Sequence, residues 1–241
     1  MSNFLLDNYH LITYSLEFLA AVTGLFFYIK YKNTAAKYFI YFLWFIAISD
    51  TLCYYTHYVK PDRFLSFLIG TKFEKNHWWA NLYWVIGAIM FFSFYYRKIL
   101  KTELHKRMIK VASYGFFAFS LIYIALNWDA FFNQFFFVLD LLGALIIFLC
   151  AVLYFIEILL SEKILVFYKS LNFYISAVIF IWWLIIAPLT FYDVYYKYEI
   201  GVGVFDKAFV DLRFQIFLFA NLFMYLTYTF ALIWCKPENE L

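Results

Sequence analysis

Long apolar runs separated by short polar stretches dominate the chain. A helix needs about 20 mostly apolar residues to cross a bilayer. Seven runs come close to or reach that length, at about residues 11–29, 38–59, 77–96, 111–127, 135–159, 171–192 and 214–235. Within them apolar residues occupy nearly every position, so no single face stands out. A helix that is apolar all round is a buried or membrane-spanning one. The pattern predicts an all-α polytopic membrane protein, a bundle of seven transmembrane helices forming one domain over residues 1–241.

Two connecting segments carry patterns of their own. Segment 60–76 begins at Pro61 and holds Phe64, Leu65, Phe67, Leu68 and Ile69, which predicts a short amphipathic turn or helix on the membrane surface. In segment 193–213, large apolar residues alternate with polar ones or Gly from Tyr196 to Val204, a strand-like period. Gly201 and Gly203 would let it hinge, so it reads as an ordered connector or a lid. Pro188, late in the sixth run, predicts a kink or the end of that helix.

Composition supports the membrane reading. The chain is 66% hydrophobic, 27% aromatic and 15% charged, whereas soluble domains are about 45–50% apolar and about 25% charged. This excludes a soluble globular enzyme, a disordered chain and a disulfide scaffold. The net charge of +3 is too small to suggest nucleic acid. Cys53, Cys150 and Cys235 lie in separate apolar runs without CxxC spacing, so reduced thiols are expected.

Charge position sets orientation, because cytoplasmic loops are enriched in Lys and Arg. With the N-terminus outside, the inner segments hold 12 of the 19 basic residues and the outer segments 7. An N-out, C-in arrangement follows. Met1–His10 contains no Lys or Arg, so the first run is expected to remain as a span rather than be removed as a signal peptide. The inner segments are too short for a domain of about 50 residues, so any inner output needs a partner chain. The segment from Arg97 to Lys110, with six basic residues and Glu103, is the candidate dock for a cytoplasmic or membrane protein. It would also attract anionic lipid.

Ionisable groups within a span are costly and are functional candidates by default. At about 1.5 Å per residue from the outer end, Glu17 lies ~9 Å deep, Asp50 ~14 Å, Asp140 ~8 Å, Asn81 ~6 Å and Asn221 ~10 Å. These five polar side chains, from five spans, share one outer layer. Helical spacing puts Asp50, Cys53, Tyr54 and His57 on one face. It does the same for His77, Asn81, Trp84 and Ala88, and for Asn221, Tyr225 and Tyr228. The expectation is an outward-opening, aromatic-walled pocket with acids at its floor and His57 and His77 at its mouth. Such a pocket suits a cation, an amine, a proton or a small polar ligand arriving from outside. The opposing reading is interhelical glue, each acid bonded to a neighbouring Tyr, Asn or Trp. No metal or other cofactor is expected, since ligand-type residues occur without HxxxH or HExxH spacing.

Glu17 is followed by Ala20, Ala21 and Gly24, and Asp140 by Gly143 and Ala144. Small residues three and four positions after each acid permit close helix approach there. The shared pattern in the first and fifth spans is compatible with a 3+1+3 parallel repeat. Residues 214–235 contain no Lys, which excludes retinal attachment in the last span, and the missing HxxxH argues against ceramidase-like hydrolases. The stretch Glu17-Phe-Leu-Ala-Ala-Val-Thr-Gly-Leu, with Tyr31-Lys-Asn-Thr-Ala-Ala-Lys-Tyr-Phe after it, resembles the start of small uncharacterised seven-span bacterial integral membrane proteins. The resemblance covers the first two spans. It implies the seven-span fold in a bacterial cytoplasmic membrane and no established activity.

Three functions fit. The first is a receptor-like sensor or accessory subunit that binds a small ligand and acts through a partner. The second is a small-solute or proton-coupled transporter, which needs a polar path continuing inward. The third, the only enzymatic one, is an intramembrane metal-dependent hydrolase.

Overall fold

The computed structural model describes residues 4, 5, 8–200 and 207–238, and the side chains of 163, 193–200, 207 and 208 are left aside. The described residues are helical almost throughout. In chain order the helices are α1 (Tyr9–Phe26), α2 (Tyr28–Tyr31), α3 (Ala36–Cys53), α4 (His77–Ala80), α5 (Ile89–Ile99), α6 (Glu103–Leu126), α7 (Trp128–Asn133), α8 (Phe137–Leu159), α9 (Leu171–Ile200) and α10 (Lys207–Trp234). A 3-10 stretch, Tyr54–Tyr58, extends α3, and a π-helix, Asn81–Ala88, joins α4 to α5. Five helical stretches are long and apolar enough to cross a membrane: Ala36–Tyr58, Glu103–Leu126, Phe137–Leu159, Leu171–Tyr192 and Phe209–Trp234. The other two expected runs are interrupted. The first breaks at Phe27, and the third changes winding at Asn81.

Several boundaries move relative to the sequence reading. The basic segment 97–110 is mostly helix, because α5 runs to Ile99 and α6 begins at Glu103. Lys, Arg, Glu and Leu are good helix formers, so the polar stretch continues the helices instead of forming a loop. Pro188 does not end its helix, since α9 continues to Ile200. The strand-like alternation over 196–200 is therefore helical, while 201–206 lie outside the described residues. Segment 60–76 is turns around one 3-10 turn, Ser66–Leu68, with Phe64 and Phe67 exposed.

The chain divides into two compact units, residues 1–43 with 151–241, and residues 44–150. The division is nested in sequence and passes through α3 and α8. In the first unit α1 and α10 run parallel. Tyr9 meets Phe214 at 5.3 Å near one end, and the Tyr31 hydroxyl donates to the carbonyls of Leu232 and Cys235, at 3.1 and 2.9 Å, near the other. Lys30 Nζ donates to the Ile233 carbonyl at 2.9 Å. Cations and donors here satisfy the last carbonyls of α10, where the helix dipole is negative. Burial, then the Cys235 thiol, hold the Tyr31 phenol above its ordinary range, so it stays a donor. α9 and α10 run antiparallel, tied by Trp182 Nε1 donating to Asn221 Oδ1 at 2.9 Å and by Tyr174 against Phe230 at 6.0 Å. Gly24 admits Ile40, whose Cγ2 lies 3.1 Å from where a Cβ would stand.

In the second unit the C-terminal part of α3 runs antiparallel to the stretch from α4 to α5. Trp79 Nε1 donates to the Ser49 carbonyl at 3.1 Å, and Asn76 Nδ2 to that of Cys53 at 3.0 Å. α8 runs parallel to the same stretch, and Gly143 is the point of closest approach. A Cβ there would stand 2.9 Å from Ile89 Cγ1. The small residues after both acids thus do admit a neighbouring helix, as the sequence predicts.

Candidate functional site

Seven of the ten residues singled out by sequence lie in the second unit: Asp50, Tyr54, His57, His77, Asn81, Trp84 and Asp140. Glu17, Asn221 and Tyr225 lie in the first. Each group is built from its own helices.

The centre of the second unit's group is a residue that the sequence reading passed over. Tyr83 donates its hydroxyl hydrogen to the half-buried carboxylate of Asp50. The Cys53 thiol, one turn on from Asp50, lies 3.9 Å from the Tyr83 oxygen and donates to it. The Trp79 ring lies 5.9 Å from that of Tyr83. A thiol, a phenol and a carboxylate are thus linked in sequence, with an indole beside the phenol ring. The donated hydroxyl hydrogen stabilises the carboxylate within the apolar span.

Winding explains how Tyr83 reaches Asp50. The face assigned to His77, Asn81, Trp84 and Ala88 assumes 3.6 residues per turn, but the helix is π-wound from Asn81 to Ala88. With i→i+5 bonds each turn holds more residues, so Trp84 and Ala88 rotate off that face, which requires correction. Gly87 fits this winding, since a Cβ there would lie 3.1 Å from the Leu82 carbonyl oxygen. Short π segments inside helices occur often at functional sites. Nothing in local composition announces one.

Asn81, fully buried, has a structural task. Its Oδ1 accepts from the Phe136 amide at 3.2 Å and its Nδ2 donates to the Gln134 carbonyl at 3.1 Å. It therefore holds the turn that starts α8. Asp140 sits in the first turn of α8, half-buried, where the positive end of the helix dipole favours a carboxylate. The His77 ring stands edge-on to Phe135 at 4.4 Å.

The expected face from Asp50 to His57 also changes, because α-winding stops at Cys53. In a 3-10 turn residues three apart eclipse, and Tyr54 and His57 accordingly stack at 4.9 Å. Tyr54 is exposed, whereas Asp50 is half-buried.

In the first unit, Glu17 is 3% exposed. The parallel packing of α1 on α10 sets it level with Asn221, which accepts the Trp182 bond. Tyr225 is buried one turn further along α10, 6.4 Å from Tyr228. The expected face of Asn221, Tyr225 and Tyr228 is thus buried. Among the described residues, no three His, Cys, Asp or Glu side chains come together as metal ligands.

Apolar helices of spanning length, a half-buried acid met by a Tyr hydroxyl, and small residues at helix contacts define an all-α, multi-pass membrane protein. Compared with known proteins, the chain matches no family model, no curated protein and no solved structure.

Proposed function

We propose that this chain is a seven-span, N-out/C-in receptor-like sensor or accessory subunit of a bacterial cytoplasmic membrane. It takes a small cationic or polar ligand from the outer side and acts through a partner chain at the basic segment 97–110. The carrying observation is the linked Asp50, Tyr83 and Cys53 side chains with the Trp79 ring beside Tyr83. The parallel course of α1 and α10 supports an odd number of spans, since both then cross in the same sense. The excess of basic residues on the inner segments supports the orientation.

Sensing is preferred to transport for a further reason. The buried hydroxyls toward the other end of the second unit are turned onto their own helices. Ser93 bonds the Ile89 carbonyl at 2.9 Å and Ser113 that of Lys110 at 3.1 Å. Neither extends the Asp50 line inward.

The test uses tryptophan fluorescence of the purified protein, titrated with choline and ethanolamine as probe cations. The reading requires saturable quenching that Asp50→Asn abolishes while the variant still unfolds in one cooperative transition above the assay temperature. Equal quenching in Asp50→Asn removes this site from the proposal. Proteoliposome uptake of either cation, lost in Asp50→Asn, would replace sensing with transport.

A further inference from the structure

The meeting of α5 and α6 places two cations on one ring. Arg97, in the last turn of α5, hydrogen-bonds the Tyr114 hydroxyl and holds its Cζ 5.6 Å from the Tyr114 ring centre. Lys110, one turn before Tyr114 on α6, brings its Nζ to 5.9 Å from the same centre. The only acid between 97 and 110 is Glu103, and it is paired with Lys106 at 2.7 Å. Arg97 Nε is buried without a hydrogen-bond partner among the described residues. Ring attraction offsets part of the repulsion between the two cations, but it supplies no acceptor for that N–H. Two cations on one ring, with the segment's single acid already paired, fit an oxyanion, which a guanidinium binds through parallel N–H bonds.

The adjoining surface distinguishes between anions. Beyond the cations, α6 presents Val111, Tyr114 and Leu121 along one exposed apolar strip. A soluble phosphate or an acidic protein loop would have no use for this strip. A phospholipid would lay an acyl chain along it while its phosphate met Arg97 and Lys110. We infer that Arg97, Lys110 and Tyr114 form a headgroup site for an acidic phospholipid of the leaflet they face. The site is independent of the outer ligand site and leaves Lys98, Lys101 and Arg107 to a protein partner.

The experiment is phospholipid analysis by native mass spectrometry of full-length protein, exchanged into phosphatidylglycerol or phosphatidylcholine nanodiscs and then extracted in mild detergent. Phosphatidylglycerol should be retained and phosphatidylcholine lost. Arg97→Gln and Lys110→Gln should each weaken retention about fivefold, the effect of one basic group at a membrane surface. Lys98→Gln, as a charge-matched control, should not weaken it. Equal retention of both lipids, or equal loss in Lys98→Gln, overturns the site as unspecific attraction. Inorganic phosphate or an acidic peptide that displaces the lipid at matched concentration overturns the lipid assignment in its own favour. If a variant fails to fold, the comparison of the two lipids on the unaltered protein still decides.

Discussion

Tyr83 gives its hydroxyl hydrogen to the carboxylate of Asp50, and does so from a π-wound turn that faces the end of α3. The pair is both glue and candidate chemistry. It satisfies an acid within an apolar span, close to the point where α3 tightens into a 3-10 turn.

The pair should be energetically coupled. In a double-mutant cycle of Asp50→Asn and Tyr83→Phe, unfolding in detergent should show a coupling of about 0.6 kcal/mol, the average for interhelical hydrogen bonds in a membrane bundle, and at most about 1.7. Strict additivity would mean that the two side chains do not interact in the folded protein.

Asn81 should matter for the start of α8 more than for binding. Asn81→Ala strands the Phe136 amide and the Gln134 carbonyl, at a cost of about 1–3 kcal/mol. Hydrogen exchange should quicken across the first turns of α8 while α9 and α10 are unchanged. Unchanged exchange there would show that another group holds the turn.

Two glycines should respond in opposite ways. Gly143→Ala sets a methyl 2.9 Å from Ile89 Cγ1, and the overpacking should cost about 1–3 kcal/mol. Gly115 has nothing within 4 Å of a Cβ position, so Gly115→Ala should be neutral or stabilise by up to about 1 kcal/mol through helix propensity. Thermal unfolding of both variants, compared with the natural protein, separates the effects.

Cysteine labelling should be selective. Cys150 and Cys235 are buried, whereas Cys53 is partly exposed beside Asp50. A small maleimide at neutral pH should label one site per folded chain, and Cys53→Ser should abolish that labelling. Rapid labelling of the remaining two thiols in Cys53→Ser would contradict their burial.

Much of the fold is legible in the sequence because crossing a bilayer demands long apolar helices, and the runs at 38–59, 111–127, 135–159, 171–192 and 214–235 all carry one. The small residues after Glu17 and Asp140 are equally legible, since only small side chains admit a neighbouring helix so closely. Winding is not legible in this way. Residues 77–96 are apolar enough to suggest a regular α-helix, and no residue among them forbids one. The π segment exists where Asn81 and Tyr83 both find partners on other helices and Gly87 leaves room for an extra residue in the turn. That long-range bonding takes Trp84 off the expected face and brings in Tyr83. By itself the sequence determined the membrane class, the apolar runs and which acids need partners, because bilayer solvation acts on each residue in turn. Which partner each acid meets was decided by tertiary structure, because that depends on helix winding and on contacts between residues far apart in the chain.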